Sequence, residues 1–277
     1  PKPTQPNKNG ANATNPAEEC MKILVTNDDG VTAPGLLALA QALRGLDAEI
    51  TVLAPDHNWS ASGHVKTMHR PLRLSATTLA DGSQAWKSDG APSDWVALAM
   101  MGALESDFDL VVSGINPNAN IGLDVTYSGT VTAAMEASIW GKPGFAVSLD
   151  APEYHEGPLD FRSAAETAAR LVWQLLPEAN GKQLAPIFNI NLPYRPQGDY
   201  AGVMLTRQGV RIYRDVLEKR LDPRGRPYYW IAGDPPSGVK EDGTDYGALQ
   251  EGFVSITPLK MDMTDFAALE KLRNLRL

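Results

Sequence analysis

The chain has 277 residues, of which 43% are apolar, enough for one large domain or two small ones with a sizeable core. Its formal net charge of -8 opposes binding to the phosphate backbone of DNA or RNA, which favours a basic surface. The longest nearly unbroken apolar run, residues 95–104, is too short for a bilayer, which needs about 20 such residues. Composition therefore predicts a globular protein that neither spans a membrane nor binds a nucleic-acid polymer.

Residues 1–20 are rich in Pro, Asn and Ala and lack the apolar segment of a secretory signal. We expect a disordered extension or a cloning remnant there, and a single domain over residues 21–277. Cys20 is the only cysteine, which excludes a disulfide framework and a thiolate metal site and predicts a reducing cytoplasm as the compartment.

Strands and helices alternate from Met21 onward. Met21–Thr26 is a short β-branched run typical of a strand buried on both faces of a parallel sheet. Pro34 begins a segment of helical spacing, and a second strand is predicted at Ile50–Leu53. Later strands are predicted at Asp109–Ile115, Gly144–Leu149 and Ile187–Leu192, and helices at Gly129–Trp140 and Phe161–Leu176. The alternation predicts an α/β fold with a doubly wound, mostly parallel sheet.

The pattern changes after about residue 200. Short β-like segments follow one another there: Gly202–Thr206, Tyr228–Ile231 and Phe253–Thr257. Arg220–Trp230 carries a Pro-Arg-Gly turn between strand-like residues and predicts a β-hairpin extension. This arm would pack either on a partner subunit or on its own, and the sequence leaves both open. No helix is predicted in this region before Thr264–Leu275.

Two adjacent carboxylates, Asp28 and Asp29, directly follow the first predicted strand in the segment V-T-N-D-D-G-V. Ligands of open parallel sheets collect at the carboxyl ends of the strands. Gly30 permits the bend that lets both side chains reach one point. A solvated acidic pair in an Asx-turn would show the same pattern, so other strand ends must decide.

Two further polar loops follow predicted strands, at Ala54–His64 and Ser113–Gly122. Either one alone would be an ordinary turn. Together with the aspartates they predict an all-oxygen ligand set that suits a hard cation such as Mg²⁺, Mn²⁺ or Ca²⁺ rather than Zn²⁺. The predicted ligands are Asp28, Asp29, Ser60 and Asn116.

The segment Ser128-Gly129-Thr130 begins a predicted helix. Free backbone N–H groups, the helix dipole and two hydroxyls would favour a phosphate there, although an ordinary N-cap is the alternative. Asp124 is a further acid/base candidate, with a loop cap as its alternative. The four histidines lack paired metal-ligand spacing, and each is predicted to be solvated: His57, His64, His69 and His155.

Four motifs in this order resemble the SurE family of survival-protein nucleotidases. They are N-D-D-G-V-x-A-P-G at residues 27–35, A-P-D-x-N-x-S at 54–60, V-S-G-I-N at 112–116 and Y-S-G-T-V-x-A-A-M-E at 127–136. The resemblance runs from Met21 nearly to the carboxyl end. It departs around Asn116, where N-P-N-A-N-I-G replaces the commoner N-x-G-x-N-L-G.

This resemblance implies a Rossmann-like α/β core. It also implies a metal-dependent phosphatase acting on nucleoside 5′- and 3′-monophosphates and, in some members, on short polyphosphate. It implies one divalent cation per subunit, Mn²⁺ or Mg²⁺, and a homodimer or homotetramer formed through a swapped arm, about residues 206–245 here. The implied metal ligands are Asp28, Asp29, Ser60 and Asn116. We further hypothesise that Asp28 or Asp29 is the catalytic base. The implied phosphate contacts are Asn120, Ser128, Gly129 and Thr130.

Other functions stay open at this point. The first is a nucleotide- or metal-binding regulator without turnover. Another is a glycosyltransferase that uses a sugar nucleotide and releases a diphosphate. Within the phosphatase hypothesis, direct attack by water and a covalent aspartyl-phosphate route both remain possible.

Overall fold

The computed structural model describes residues 20–179, 185–273 and 275, so the extension expected at residues 1–20 lies outside it apart from Cys20. The strands are β1 (Met21–Thr26), β2 (Ala48–Pro55), β3 (Leu74–Thr78), β4 (Gln84–Ser88), β5 (Leu110–Asn116), β6 (Gly144–Asp150), β7 (Ile187–Pro193), β8 (Gly202–Leu205), β9 (Arg211–Leu221), β10 (Pro227–Gly238) and β11 (Phe253–Leu259). The helices are α1 (Pro34–Arg44), α2 (Pro92–Met100), α3 (Gly129–Ile139), α4 (Arg162–Leu175), α5 (Asp245–Gln250) and α6 (Phe266–Leu272), with 3-10 turns at Gly122–Thr126 and Leu176–Ala179.

Nine strands form one sheet in the order β3-β4-β2-β1-β5-β6-β7-β11-β8. All neighbours from β4 to β7 pair in parallel, and only β3 with β4 and β11 with β7 are antiparallel. The predicted doubly wound, mostly parallel sheet is confirmed. The chain builds outward from β1 in both directions, to β2 on one side and to β5 on the other, so a topological switch point lies at β1.

Helices cover both faces of this sheet. Ile23 and Val25 of β1 pack in a core with α1 and α4, whereas Leu24 belongs to a core that includes Trp95 of α2 and Ala133 of α3. Side chains alternate between faces along a strand, so a strand covered on both sides must be apolar at every position. This explains the continuous apolar run that predicted β1. Among the described residues, no helix has the length and apolarity needed to cross a bilayer.

Several elements differ from the predictions. The strands β3 and β4 and the helix α2 were missed, and the expectation that no helix precedes the terminal one after residue 200 was wrong. In that region α5 begins at Asp245, capped by the Thr244 hydroxyl, which accepts a hydrogen bond from the Gly247 N–H. A helix of six residues is too short to show apolar periodicity. The last helix, α6, covers only the middle of the predicted Thr264–Leu275.

The predicted hairpin is confirmed and is longer than expected. Strands β9 and β10 form a separate two-stranded antiparallel sheet. Asp222 closes the turn, because its carboxylate accepts hydrogen bonds from the N–H groups of Arg224 and Arg226, each at 2.8 Å. Large apolar side chains on this arm are exposed, including Leu217 at 67% and Ile231 at 83%. The arm therefore leaves apolar surface open to solvent.

Candidate active site

The predicted site residues converge on the carboxyl edge of the sheet at the switch point. Strands β1 and β5 are direct neighbours, with Thr26 opposite Ser113, so the loops that follow them start side by side. A cleft of about 170 Å³ opens at this edge, and its lining includes Asp28, Ser60, Asn116, Asn120 and Ser128. A larger cleft of about 570 Å³ lies between α1 and α4 and contains none of the predicted site residues.

The turn after β1 has the bend that the sequence predicted. The buried Asn27 side chain spans the turn: its Nδ2 donates to the Gly30 carbonyl at 3.0 Å, and its Oδ1 accepts from the Gly30 N–H at 3.3 Å. Gly30 has φ +120°, a conformation that side chains strongly disfavour. The asparagine and the glycine together turn the two aspartates out of the strand.

Asp28 lies against the first turn of α3. Asp28 is 4% exposed, and its carboxylate accepts a hydrogen bond from the Thr130 hydroxyl at 2.5 Å. A Cβ atom at Gly129 would lie 2.7 Å from the Asp28 Oδ2, so only glycine allows this approach. Burial raises the pKa of Asp28, and the Thr130 hydroxyl and the N–H groups of the helix end lower it less strongly.

Asp29 has one satisfied and one unsatisfied oxygen. Its Oδ1 accepts a hydrogen bond from Asn58 Nδ2 at 3.4 Å, whereas Oδ2 is buried without a partner among the described residues. Burial, reinforced by the neighbouring Asp28 charge, raises the pKa of Asp29 to about 7. A buried, unpartnered carboxylate oxygen is costly in a protein, and a bound cation would satisfy it. The donor chemistry thus fits a metal ion.

Ser60 and Asn116 supply the other predicted oxygens at the cleft. Ser60 is exposed, and its N–H donates to Asn58 Oδ1 at 2.7 Å. Asn116 is the last residue of β5, and its Nδ2 donates a hydrogen bond to the Asn118 carbonyl at 2.5 Å. Its side-chain oxygen is therefore the atom that a cation would use. The described ranges contain no group of three or more His, Cys, Asp or Glu suited to a metal. Hydroxyl and amide oxygens would therefore have to complete the set.

The predicted phosphate contacts occupy different positions. Asn120 and Ser128 line the cleft. Asn120 Nδ2 donates a hydrogen bond to the Ser148 hydroxyl at 2.8 Å. The Ser128 hydroxyl caps α3 by accepting a hydrogen bond from the Val131 N–H at 3.1 Å. Thr130 is fully buried, and its hydroxyl is directed to Asp28 rather than to the cleft. Gly129 contributes close packing against the same carboxylate.

Asp124 is held by the base of the hairpin arm. Its carboxylate accepts from Arg211 Nε at 2.7 Å and from the Tyr213 hydroxyl at 2.5 Å. The buried Asp245 makes a second link, because its two oxygens accept from the N–H groups of Gly122 and Gly209 at 2.8 and 2.7 Å. These contacts fix the loop after β5 to the start of the arm.

His64 is exposed, as predicted, but its ring also contacts a buried carboxylate. Its Nε2 lies 2.9 Å from the carboxylate of Glu136, a residue of α3 that is 1% exposed. Glu136 also accepts from Lys66 Nζ at 2.5 Å and from Trp140 Nε1 at 2.9 Å. Although burial alone would raise the pKa of Glu136, hydrogen bonds from His64, Lys66 and Trp140 outweigh it and lower the value to about 2.

Comparisons with known proteins agree with the motifs. The family model described as "Survival protein SurE" matches residues 23–215. The chain belongs to the SurE family. Among its relatives, "5'-nucleotidase SurE" of Chloroflexus aggregans is 49% identical over 91% of this chain and 98% of its own, and the protein of the same name from Herpetosiphon aurantiacus is 48% identical over 91% and 97%. The solved SurE protein from Aquifex aeolicus superposes with a TM-score of 0.75 at 38% identity, covering 91% of this chain and 98% of its own.

Sequence reasoning missed the residues that support this SurE site. The Asn27 and Asn58 side chains, which brace the aspartates, lie inside recognised motifs but were given no role. Glu136, the final residue of Y-S-G-T-V-x-A-A-M-E, and Asp245 were likewise given no role. A carboxylate in an otherwise apolar helix was the available signal for Glu136, since buried charges are almost always paired.

Proposed function

We propose that this protein is a metal-dependent nucleotidase that hydrolyses nucleoside 5′- and 3′-monophosphates to nucleoside and phosphate. The observation that carries the proposal is a pair of adjacent carboxylates next to the capped N-terminus of α3: Asp28 lines the switch-point cleft, and Asp29 has a buried oxygen without a partner among the described residues. The names of the relatives in Chloroflexus aggregans and Herpetosiphon aurantiacus support the substrate class.

The proposed cation site consists of Asp28, Asp29, Ser60 and Asn116. When bound, one Mn²⁺ or Mg²⁺ supplies Lewis-acid stabilisation of the charge that develops on the phosphate. Two carboxylates match a divalent charge, and neutral hydroxyl and amide oxygens complete a hard ligand set. The local cation also reconciles an anionic substrate with a protein of net charge -8.

The protein's own groups orient the phosphate and move the proton. Ser128 and Asn120 lie at the cleft wall, where their polar atoms and the end of α3 hold the oxygens of the phosphate. Asp28 lines the cleft, and its carboxylate accepts the proton of the attacking water. The Thr130 hydroxyl fixes the orientation of this base.

Phosphate recognition of this kind needs no contact with the base or the ribose. The proposal therefore includes short polyphosphate as a second substrate, and it retains the sequence prediction of a cytoplasmic enzyme.

The arm at about residues 206–245 is proposed to join subunits into a homodimer or homotetramer. Its exposed apolar side chains support this role, since large apolar surfaces on soluble proteins mark interaction sites.

The test is phosphate release from metal-stripped protein, with a panel of 5′- and 3′-monophosphates and short polyphosphate, with and without added Mn²⁺ or Mg²⁺. We expect release only when metal is present. Tight nucleotide binding with no release at either metal, in protein shown to be folded, would instead identify the non-catalytic regulator. Release of a diphosphate from a sugar nucleotide would identify a glycosyltransferase.

A further inference from the structure

We infer that Glu136 is a positioning residue that holds the Ser60 loop in the conformation needed for cation binding. The Ser60 loop is defined here as residues 56–67, between β2 and β3. The inference rests on the proposed function only in taking Ser60 as a cation ligand. It adds a buried group on α3 that does not line the cleft and acts through the loop.

The upstream end of the Ser60 loop is attached to the aspartates. The Trp59 N–H donates to the Asp28 carbonyl at 2.8 Å. The Asn58 side chain connects Asp29 to Ser60, because its Nδ2 donates to Asp29 Oδ1 at 3.4 Å and its Oδ1 accepts from the Ser60 N–H at 2.7 Å. On this side of the loop, the hydrogen bonds of Trp59 and Asn58 therefore fix the position of Ser60 relative to the aspartates.

The downstream end of the Ser60 loop is attached to α3. The Glu136 carboxylate lies 2.9 Å from His64 Nε2 and accepts a hydrogen bond from Lys66 Nζ at 2.5 Å. His64 and Lys66 follow Ser60 by four and six residues. Gly63 adds two backbone contacts, since its N–H donates to the Tyr127 carbonyl at 2.9 Å and its carbonyl accepts from the Thr132 hydroxyl at 3.2 Å. A buried carboxylate with three donors is a strong anchor, because separating it from its partners would leave a buried charge uncompensated.

One rigid helix thus connects both sides of the site. The first turn of α3 carries Thr130, which orients Asp28, and the next turns carry Glu136, which holds the loop with Ser60. Ser60 lies between the Asn58 contacts on one side and the Gly63 and His64 contacts on the other. Loss of the Glu136 anchor would leave the weaker Gly63 contacts to hold the downstream side, so one proposed ligand would become less well positioned while the aspartates stay in place. Mutating a residue that holds a metal ligand in place without binding the metal itself typically weakens metal affinity by about 10- to 100-fold.

The experiment compares Mn²⁺ binding to metal-free wild-type protein and to variants by calorimetry. His64→Ala removes a donor from Glu136, whereas His64→Gln places an amide N–H of similar reach at the same position. We expect the Mn²⁺ dissociation constant to rise about tenfold in His64→Ala and to return to within about twofold of wild type in His64→Gln. Glu166→Gln, on exposed α4 surface, removes a carboxylate away from the site and is expected to leave the constant unchanged.

Nucleotide hydrolysis gives a second readout. Because the proposed defect lies in cation binding, His64→Ala should lose activity at limiting Mn²⁺ and regain most of it at saturating Mn²⁺. The melting temperature of each metal-free variant reports folding. If His64→Ala does not fold, Lys66→Met, whose parent side chain is 46% exposed, removes the other charged donor from Glu136 and is expected to raise the dissociation constant in the same way.

Unchanged Mn²⁺ affinity in the folded His64→Ala and Lys66→Met variants would overturn the inference and leave Glu136 a purely structural residue. Wild-type protein that binds no Mn²⁺ would overturn it as well. His64-dependent Mn²⁺ binding without phosphate release from any nucleotide would support the inference and refute the proposed function, so the two can fail separately.

Discussion

Replacing Glu136 by Gln should change how the stability of the protein depends on pH. The pKa of Glu136 is lowered from 4.5 to about 2 in the folded protein. Its carboxylate therefore contributes stability that is fully present above pH 4.5 and is lost as the pH falls toward 2. The full contribution is about 3 kcal/mol, from a shift of about 2.5 pH units at about 1.4 kcal/mol each.

Only part of this contribution is lost in an accessible pH range. Between about pH 6 and about pH 3, linkage predicts a loss of about 2 kcal/mol from this group in the wild type and none in Glu136→Gln, which cannot titrate. The assay is urea unfolding of both proteins, without metal, at several pH values across that range. Glu166→Gln is the matched control, and its stability should stay within about 0.5 kcal/mol of wild type at each pH.

The result is read from the difference in unfolding free energy between wild type and Glu136→Gln. We expect this difference to shrink by about 2 kcal/mol as the pH falls from about 6 to about 3. A difference that stays constant over the whole range would refute the reasoning, because it would show that the pKa of Glu136 is the same in the folded and unfolded protein.

Three further predictions concern the site and the arm. Asp28→Asn should abolish phosphate release while the circular dichroism spectrum stays native, and retained activity would remove Asp28 from the mechanism. Thr130→Val should lower kcat/KM about tenfold because Asp28 loses its orienting hydrogen bond, while Thr130→Ser keeps the hydroxyl and most of the activity; equal losses would contradict this role. Serine at Leu217 and Ile231 should shift sedimentation toward monomer, and an unchanged oligomer would exclude the arm as the contact.

The central strands and the position of the site could be predicted from the sequence. A strand such as β1, covered by helices on both faces, has a continuous apolar run that few other structures require. The bend at Gly30 and the polar loops after β1, β2 and β5 also follow local rules, because carboxyl ends of parallel strands meet at one edge. These features depend on residues close together in the chain.

The rest depends on contacts between distant residues, which local patterns do not record. The strand β3 is partly exposed at the sheet edge and lacks a regular alternation, and α5 is a single short turn with a side-chain cap. The role of Thr130 became visible only when α3 was placed against Asp28, 102 residues earlier in the chain. The His64–Glu136 contact spans 72 residues, so the spacing of the histidines gave no indication of it.

The most direct test of the proposed site is a crystal structure of the protein soaked with Mn²⁺, with the ion located by its anomalous scattering. We predict one anomalous peak per subunit at the carboxyl edge of β1, within bonding distance of oxygens from Asp28, Asp29, Ser60 and Asn116. A peak bound elsewhere, or no peak in crystals of protein that hydrolyses nucleotides with Mn²⁺ present, would contradict the site on which the proposed function depends.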